Sequence, residues 1–527
     1  MSLTGETLIG SRTVAGTGVA VRGLNPATNE PLEPTFPDSS LEQVNEACEL
    51  AAKAFDVFRG APLEKRAALL EFMAEEILAM GDLLIERVMA ESGLPRQRLE
   101  GERGRTVGQL RLFASVVRDG RFLSATLDSA MPDRKPLPRQ DLRMRKIPLG
   151  PVAVFGSSNF PLAFSVAGGD TAAALAAGCP IVVKSHPSHP GTSELVGKAI
   201  QRAVAKSGLP DGVFSLIHGS AMDVGQMLVK HPAICAVGFT GSRRGGLALV
   251  EVAAKRPVPI PVYAEMSSVN PVFLLPSALA ARAETIAQGY VDSATLGAGQ
   301  FCTQPGLVFG IESPEMQSFM TAAGEKLAAK ASTPMLNSGI RGAYAKGAET
   351  LAKDGALRKI AEGQDAEGVG LTGRPALFVT EAAEFVKNPH LAEELFGPSS
   401  IIVLCRNVDE MVAIAEGLEG QLTATLQMDS GDFAAAKRLL PVLERKAGRI
   451  LANGFPTGVE VGYAMVHGGP FPSTSDGRST SVGATAIDRF LRPVCYQDIP
   501  DELLAPELQD GNPLGVWRLK DGKLIVG

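Results

Sequence analysis

Val152-Ala153-Val154-Phe155 opens a stretch in which short apolar strands and helical segments alternate as far as Ala254. An Ala-rich helical segment over 165–177 is closed by Gly178, and Ile181-Val182-Val183-Lys184 follows as a second strand. Residues 192–206 read as helix, 213–217 as strand and 222–230 as helix; then come the strand Ala236-Val237-Gly238-Phe239-Thr240 and a helix over 243–254. Alternation with short connections specifies a parallel sheet wound by helices. Strands without polar positions need cover on both faces. The expected fold class is therefore α/β with a doubly wound sheet, and such sheets take ligands at the carboxyl ends of their strands.

Downstream the alternation returns less regularly, with strands near 272–275, 307–310, 400–404 and 449–451. Upstream, residues 1–40 are rich in Gly, Pro and Thr and read as short strands and turns. Helical periodicity begins at Leu41 and runs through Val44, Ala47, Ala51 and Phe55, then through 68–80 and again through Leu110, Phe113 and Val117. Residues 125–147 carry Pro132, Pro136, Pro138 and the basic residues Arg143, Arg145 and Lys146. They read either as a solvated edge hairpin or as a hairpin projecting to pair with a partner chain. The last residues form a polar tail with a strand-like end at Leu524-Ile525-Val526.

A chain of 527 residues is long enough for two or three cores. Its formal net charge of −6 offers no basic surface for nucleic acid or anionic lipid. The most apolar stretch, 161–183, holds Asp170 and several glycines, so it reads as helix, turn and strand and not as a membrane span. Six scattered cysteines with no C-x-x-C pair, behind an N-terminus without an apolar leader, suit reduced thiols in the cytoplasm.

One of those cysteines sits in Gly299-Gln300-Phe301-Cys302-Thr303-Gln304-Pro305-Gly306. Gly and Pro keep this segment out of regular structure. A loop cysteine among backbone N–H donors suits a nucleophile, while the plainer reading is a small buried residue. Phe239-Thr240-Gly241-Ser242-Arg243-Arg244-Gly245-Gly246 runs from strand through a glycine turn into helix, a place for a phosphate or a mere packing turn. Lys184 ends an apolar strand, where its charge needs an anion or water. Asn159 follows a Gly-Ser-Ser turn and can donate to an oxyanion; Glu265 ends a strand and can act as a base. Singly, each of these is commoner in a structural role. His186 and His189 with Cys179 make no metal site, since Pro187 breaks the helix such a pair needs.

Together these stretches resemble the NAD(P)-dependent aldehyde dehydrogenase superfamily, over nearly the whole chain up to Cys495. Asn159-Phe160-Pro161-Leu162, Lys184, Phe239-Thr240-Gly241-Ser242, Glu265, Gly299-Gln300-Phe301-Cys302 and Glu394-Leu395-Phe396-Gly397-Pro398 match its motifs in order. The resemblance implies that Cys302 attacks an aldehyde, Asn159 and the Cys302 N–H hold the oxyanion, and Glu265 activates water against the thioester. It assigns cofactor binding to Lys184, Ser185, Pro187, Phe239, Thr240, Gly241, Ser242, Gly246, Glu394 and Phe396. Substrate contacts fall to Arg105, Phe160, Phe301 and Phe471, and no metal is implied.

The departures narrow the branch. Glu265-Met266-Ser267-Ser268 stands for the usual Glu-Leu-Gly-Gly, Ser157-Ser158-Asn159 for Pro-Trp-Asn, and Ser479 follows Gly477-Arg478 where many members carry a glutamate of the proton relay. With His467-Gly468-Gly469-Pro470-Phe471-Pro472 they look most like the branch of α-ketoglutarate semialdehyde (2,5-dioxovalerate) dehydrogenases, which also holds a fatty aldehyde dehydrogenase. The implied reaction is oxidation of that oxo-acid semialdehyde to 2-oxoglutarate. Alternatives are an aliphatic aldehyde, a CoA-acylating enzyme, or a binding protein that kept the fold. Members preferring NAD carry a glutamate where this chain has Pro187, so NADP is expected, with NAD as the alternative. Arg105 is the expected carboxylate clamp. The implied architecture is a Rossmann-type cofactor domain (1–124 and 148–262), a catalytic domain (263–470), a β oligomerisation element (125–147 with 485–500) and a tail (501–527). A homodimer or homotetramer is expected, with no nucleic-acid or membrane partner.

Overall fold

Two seven-stranded sheets dominate the computed structural model, which describes residues 2–366 and 370–525. In the first, five parallel strands lie in the order Val262–Glu265, Ala236–Thr240, Val152–Phe155, Ile181–Lys184 and Phe214–Ile217. Thr7–Ile9 and Arg12–Val14 extend it antiparallel beyond the last of these. The chain winds outward from Val152–Phe155, then returns to lay Ala236–Thr240 on its other side. Strand order reverses between those two, and a crevice opens at the carboxyl end of such a reversal.

Alternate residues of one strand feed opposite cores. Val152 and Val154 pack with Leu70, Leu110, Phe113 and Val183, whereas Ala153 and Phe155 pack with Val44, Ala47, Val182 and Val237. Burial of each large apolar side chain is worth roughly 1.5–3 kcal/mol, so neither helical layer can be removed without loss of the sheet. The helix expected over 165–177 begins four residues later, at Gly169–Ala177. Residues 165–168 form turns instead: Gly168 N donates to Ser165 O at 2.9 Å and Gly169 N to Ala163 O at 3.2 Å, neither an α-helical bond.

The second sheet runs Arg358–Glu362, Ala376–Glu381, Ser399–Cys405, Leu307–Ile311, Val272–Leu274, Gln421–Gln427 and Ala447–Ala452, parallel except at its first strand. The two sheets meet through the segment after Pro472: Met266 N donates to Ser473 O, and Ser475 N to Ala264 O. A third sheet of five strands joins Leu491–Gln497, Leu142–Pro148, Thr126–Asp128, Arg518–Lys520 and Lys523–Ile525. The polar tail, expected to hold one strand-like end at 524–526, adds two strands to it; Val526 lies outside the described residues. Among the described residues no helix is long and apolar enough to cross a membrane.

Candidate active site

The Cys302 loop is held by left-handed backbone and by an asparagine. Gly297, Ala298 and Gly299 all have φ near +60° (56°, 56° and 64°), which turns the chain sharply out of the helix Pro276–Thr295. At Gly299 only glycine fits, because a Cβ there would meet Gly397 O at 2.4 Å. Beyond the turn, buried Asn270 donates through Nδ2 to Cys302 O at 2.8 Å and to Gln304 O at 2.9 Å. Its own Oδ1 accepts from the Thr423 and Ser268 hydroxyls, both at 2.9 Å.

Around the sulfur the structure gathers residues far apart in the sequence. His467 Nε2 stands 3.5 Å from Cys302 Sγ and 2.9 Å from Glu265 Oε1. Ser481 Oγ donates to the other carboxylate oxygen at 2.7 Å. Burial, then the neighbouring Glu265 charge, pushes the Cys302 thiol well above its ordinary pKa. For Glu265 burial works upward, but the charge and hydrogen bond of His467, with the Ser481 bond, outweigh it and hold the carboxyl below its usual range. The site thus keeps a protonated thiol beside one proton acceptor, the Glu265 carboxylate, to which His467 Nε2 donates. No metal was expected, yet Sγ, Nε2 and a Glu265 oxygen lie within 4.8 Å of one another.

His467 and Ser481 join the site without having been expected from the sequence. Nothing local in the His467-Gly468-Gly469 motif signals that it crosses to residues 265 and 302. Ser479, the departure at the relay position, does not touch Glu265; its hydroxyl accepts from Arg489 Nε at 3.3 Å, and Ser481 two residues on reaches the carboxylate.

Asn159 is buried, and its Nδ2 donates to Gln300 O at 2.9 Å, which leaves its second amide hydrogen for an oxyanion. Phe160 and Phe301 meet edge to face at 5.3 Å, with the Arg98 guanidinium over both rings at 4.7 and 4.9 Å. Phe471 is a correction. It is 58% exposed, lies under Arg243 at 5.7 Å, and is not in the wall of the cavity beside Cys302. Arg105 reaches across to Val459 O and lies over the Phe164 ring at 5.5 Å.

On the other side of Cys302, a cavity of about 680 Å³ fills the crevice at the strand-order reversal. Its walls include Asn159, Lys184, Ser185, Pro187, Phe239, Thr240, Gly241, Ser242, Glu394 and Phe396 as well as Cys302 and Glu265. The donor set fits a nicotinamide dinucleotide. Lys184 supplies a cation, pulled down to about 8 by burial in spite of Asp38. Ser242 caps the helix Arg243–Ala254, whose first N–H groups face the crevice with Gly245 in the wall. Glu394 offers a carboxyl that burial raises to about 7 against hydrogen bonds from Ser267 and Ser268. Gly246 is a second correction: it is absent from this wall, and a Cβ on it would strike Met266 Sδ at 2.7 Å. It is a packing glycine. His186 and His189 stack at 5.2 Å, and the His189 ring meets Ser157 O at 2.9 Å beneath the Asn159 turn.

Comparison with known proteins agrees with this geometry. The profile of the aldehyde dehydrogenase family matches residues 14–492. The chain is 60% identical to alpha-ketoglutaric semialdehyde dehydrogenase 2 of Azospirillum brasilense over 99% of this chain and 100% of that protein. It is 49% identical to alpha-ketoglutaric semialdehyde dehydrogenase of Acinetobacter baylyi over 99% and 98%. Among solved structures, lactaldehyde dehydrogenase from Escherichia coli is similar with a TM-score of 0.81 at 22% identity, over 93% of this chain and 98% of that one, a likeness of fold.

Proposed function

Since the chain belongs to the aldehyde dehydrogenase family, we propose that its reaction is the oxidation of α-ketoglutaric semialdehyde to 2-oxoglutarate, with NADP as cofactor. That it oxidises an aldehyde follows from the family. The substrate rests on one observation, full-length identity of 60% to a relative named for that semialdehyde.

Each step uses groups already described. Cys302 passes its proton to the Glu265 carboxylate, which releases it to solvent, and attacks the carbonyl carbon. The oxygen that becomes negative is met by the free amide hydrogen of Asn159, a donor fixed beforehand by its bond to Gln300 O. When bound, the nicotinamide cofactor supplies the hydride acceptor, held by Lys184, the Ser242 turn and Glu394. Glu265 then takes a proton from water, the hydroxide adds to the Cys302 acyl carbon, and the acid leaves as the thiol re-forms. A CoA-acylating route has less support, because a carboxylate next to the sulfur favours water as acceptor.

The oxo-acid carboxylate needs a cation. Arg105 is joined by a residue not foreseen, Arg449 from the strand Ala447–Ala452. Arg449 donates to Pro456 O and Gly458 O at 2.6 and 2.7 Å, next to the Val459 carbonyl that Arg105 takes. Nε of both arginines and Nη2 of Arg105 have no hydrogen-bond partner. Two guanidinium groups with spare donors beside one loop support an anionic substrate. For the cofactor, Pro187 in the crevice wall places no carboxylate against a 2′-phosphate, and Asp38 is held by Ser220 N and Oγ at 2.7 and 2.8 Å. We include in the reading a cytoplasmic homo-oligomer, supported by the open outer edge of Leu491–Gln497, and the domain division of the sequence analysis.

The test is NADP reduction by purified enzyme with α-ketoglutaric semialdehyde and, in parallel, a medium-chain aliphatic aldehyde. A kcat/KM advantage for the oxo-acid that Arg105→Ala abolishes is the expected result; equal loss on both aldehydes removes the clamp, and preference for the aliphatic one removes the substrate. Pro187→Glu is expected to shift kcat/KM toward NAD, and an unchanged NADP/NAD ratio refutes the cofactor reading.

A further inference from the structure

We propose that the catalytic thiol belongs to a second, metal-binding constellation, in which Cys302 Sγ, His467 Nε2 and a Glu265 carboxylate oxygen take one Zn²⁺ ion and switch the enzyme off reversibly. The three ligand atoms lie within 4.8 Å of one another, and two of the separations are 3.5 and 2.9 Å. With zinc bonds of about 2.3 Å to sulfur and about 2.0–2.1 Å to nitrogen or oxygen, tetrahedral ligands stand roughly 3.3–3.6 Å apart. The sulfur–imidazole distance already fits, and the imidazole–carboxylate distance needs to open by only a few tenths of an ångström. Thiolate, imidazole and carboxylate together suit Zn²⁺ and are poor ligands for Mg²⁺ or Ca²⁺. Cys302 and Glu265 both face the cavity, which gives the ion a path in and leaves the fourth position to water.

The surroundings set how tightly the ion is held. Ser481 Oγ donates to Glu265 Oε2 at 2.7 Å and fixes the carboxylate from behind. His467 Nδ1, by contrast, is buried with no hydrogen-bond partner. A missing outer partner of this kind lowers metal affinity by roughly 10–100-fold, so the ion exchanges and is not a permanent part of the fold. On binding, the thiol proton goes to solvent and the proton on His467 Nε2 goes to solvent or to unpartnered Nδ1; sulfur–zinc and nitrogen–zinc bonds replace them, with no change of oxidation state. That sulfur lone pair is then unavailable to the aldehyde, and metal and substrate exclude each other. None of this depends on which aldehyde is oxidised.

Co²⁺ is the probe, because a cobalt–thiolate bond gives a near-ultraviolet charge-transfer band. EDTA-washed full-length enzyme titrated with CoCl₂ is expected to develop the band to about one ion per subunit and to lose activity in step. ZnCl₂ then displaces the band, and EDTA restores activity. Cys302→Ser is expected to abolish the band, and His467→Phe to require about tenfold or more Co²⁺ for the same absorbance, since losing a ligand costs at least what losing the hydrogen-bond partner behind one does. His467→Ala repeats the measurement in a smaller side chain, and iodoacetamide labelling confirms that Cys302 stays reachable in both. A band that persists in Cys302→Ser places the metal on another thiol, such as exposed Cys495, and overturns the proposal. So does a pair of His467 titrations that overlay the wild-type curve.

Discussion

At Cys302 the local field opposes the chemistry. Burial and the Glu265 charge keep the thiol protonated, so a nucleophile exists only while a neighbour holds the proton. Glu265 is placed to take it, since His467 Nε2, 2.9 Å from Oε1, keeps the carboxyl ionised. Glu265→Gln is therefore expected to slow thioester formation by about 10²-fold or more, the usual worth of a positioned acid–base group, read as the rate of the NADPH burst. His467→Ala acts through the carboxyl. Wild-type Glu265 is held low mainly by the His467 charge acting against burial, so removing His467 raises the Glu265 pKa. Both proton transfers need the ionised carboxyl, and the acidic limbs of the burst rate and of kcat in His467→Ala move to higher pH. A Glu265→Gln burst or His467→Ala acidic limbs at wild-type values refute these roles. Of this residue set, Cys302, Glu265 and Asn159 were legible because each sits in a short motif of its own. His467 and Ser481 were not, since their function lies in crossing to residues 202 and 216 positions away.

Among the elements, legibility followed the match between polarity and burial. Val152–Phe155 and Ile181–Lys184 are apolar and covered, so the first sheet could be read directly. Gln421–Gln427 could not: it alternates polar and apolar like a half-exposed strand, yet every residue is buried. Its polar side chains face inward to hold Asn270, which in turn holds the Cys302 loop. Gln421 Oε1 accepts Val269 N at 2.8 Å and Asn270 N at 3.2 Å, and Thr423 Oγ1 donates to Asn270. The loop carrying Glu394 shows the same inversion, with a carboxyl at the crevice raised to about 7. A carboxylate accepts ribose hydroxyls better than the neutral acid does. Since the pKa is raised, the group is neutral below about 7 and charged above it, and cofactor binding is expected to strengthen as pH rises through neutrality. KM for NADP should fall between pH 6 and pH 8 in the wild type and stay flat in Glu394→Gln; parallel slopes in the two enzymes would assign the effect to another group.

Across the whole molecule, the site is assembled by segments that return late in the chain. The third sheet was only half legible: the apolar end at 524–526 signals the strand Lys523–Ile525, whereas its partner Arg518–Lys520 is short and mostly charged and gives no apolar signal. The segment just before Leu491–Gln497 is different: it is pinned to the first domain by a buried ion pair. Arg489 Nη1 donates to Asp170 Oδ1 at 2.8 Å, with side-chain exposures of 3% and 10%. Arg489 Nε also meets the Ser479 hydroxyl, two residues before the serine that holds Glu265. Burial raises the Asp170 pKa and Arg489 works against that rise. Arg489→Ala leaves the carboxylate alone, and removing one partner of a buried pair costs about 3–5 kcal/mol. The sign of the pH dependence is fixed. Without Arg489 the folded-state pKa of Asp170 climbs further above its unfolded value, so the penalty is full at high pH and shrinks as pH falls and the carboxyl takes a proton. Thermal midpoints of wild type and Arg489→Ala are expected to differ most near pH 8 and to converge toward pH 5. Because the same arginine steadies residues 479–481, the variant is also expected to lose turnover at temperatures where it is still folded. A midpoint difference independent of pH would mean that packing of the guanidinium, and not its charge, joins the domain to the site.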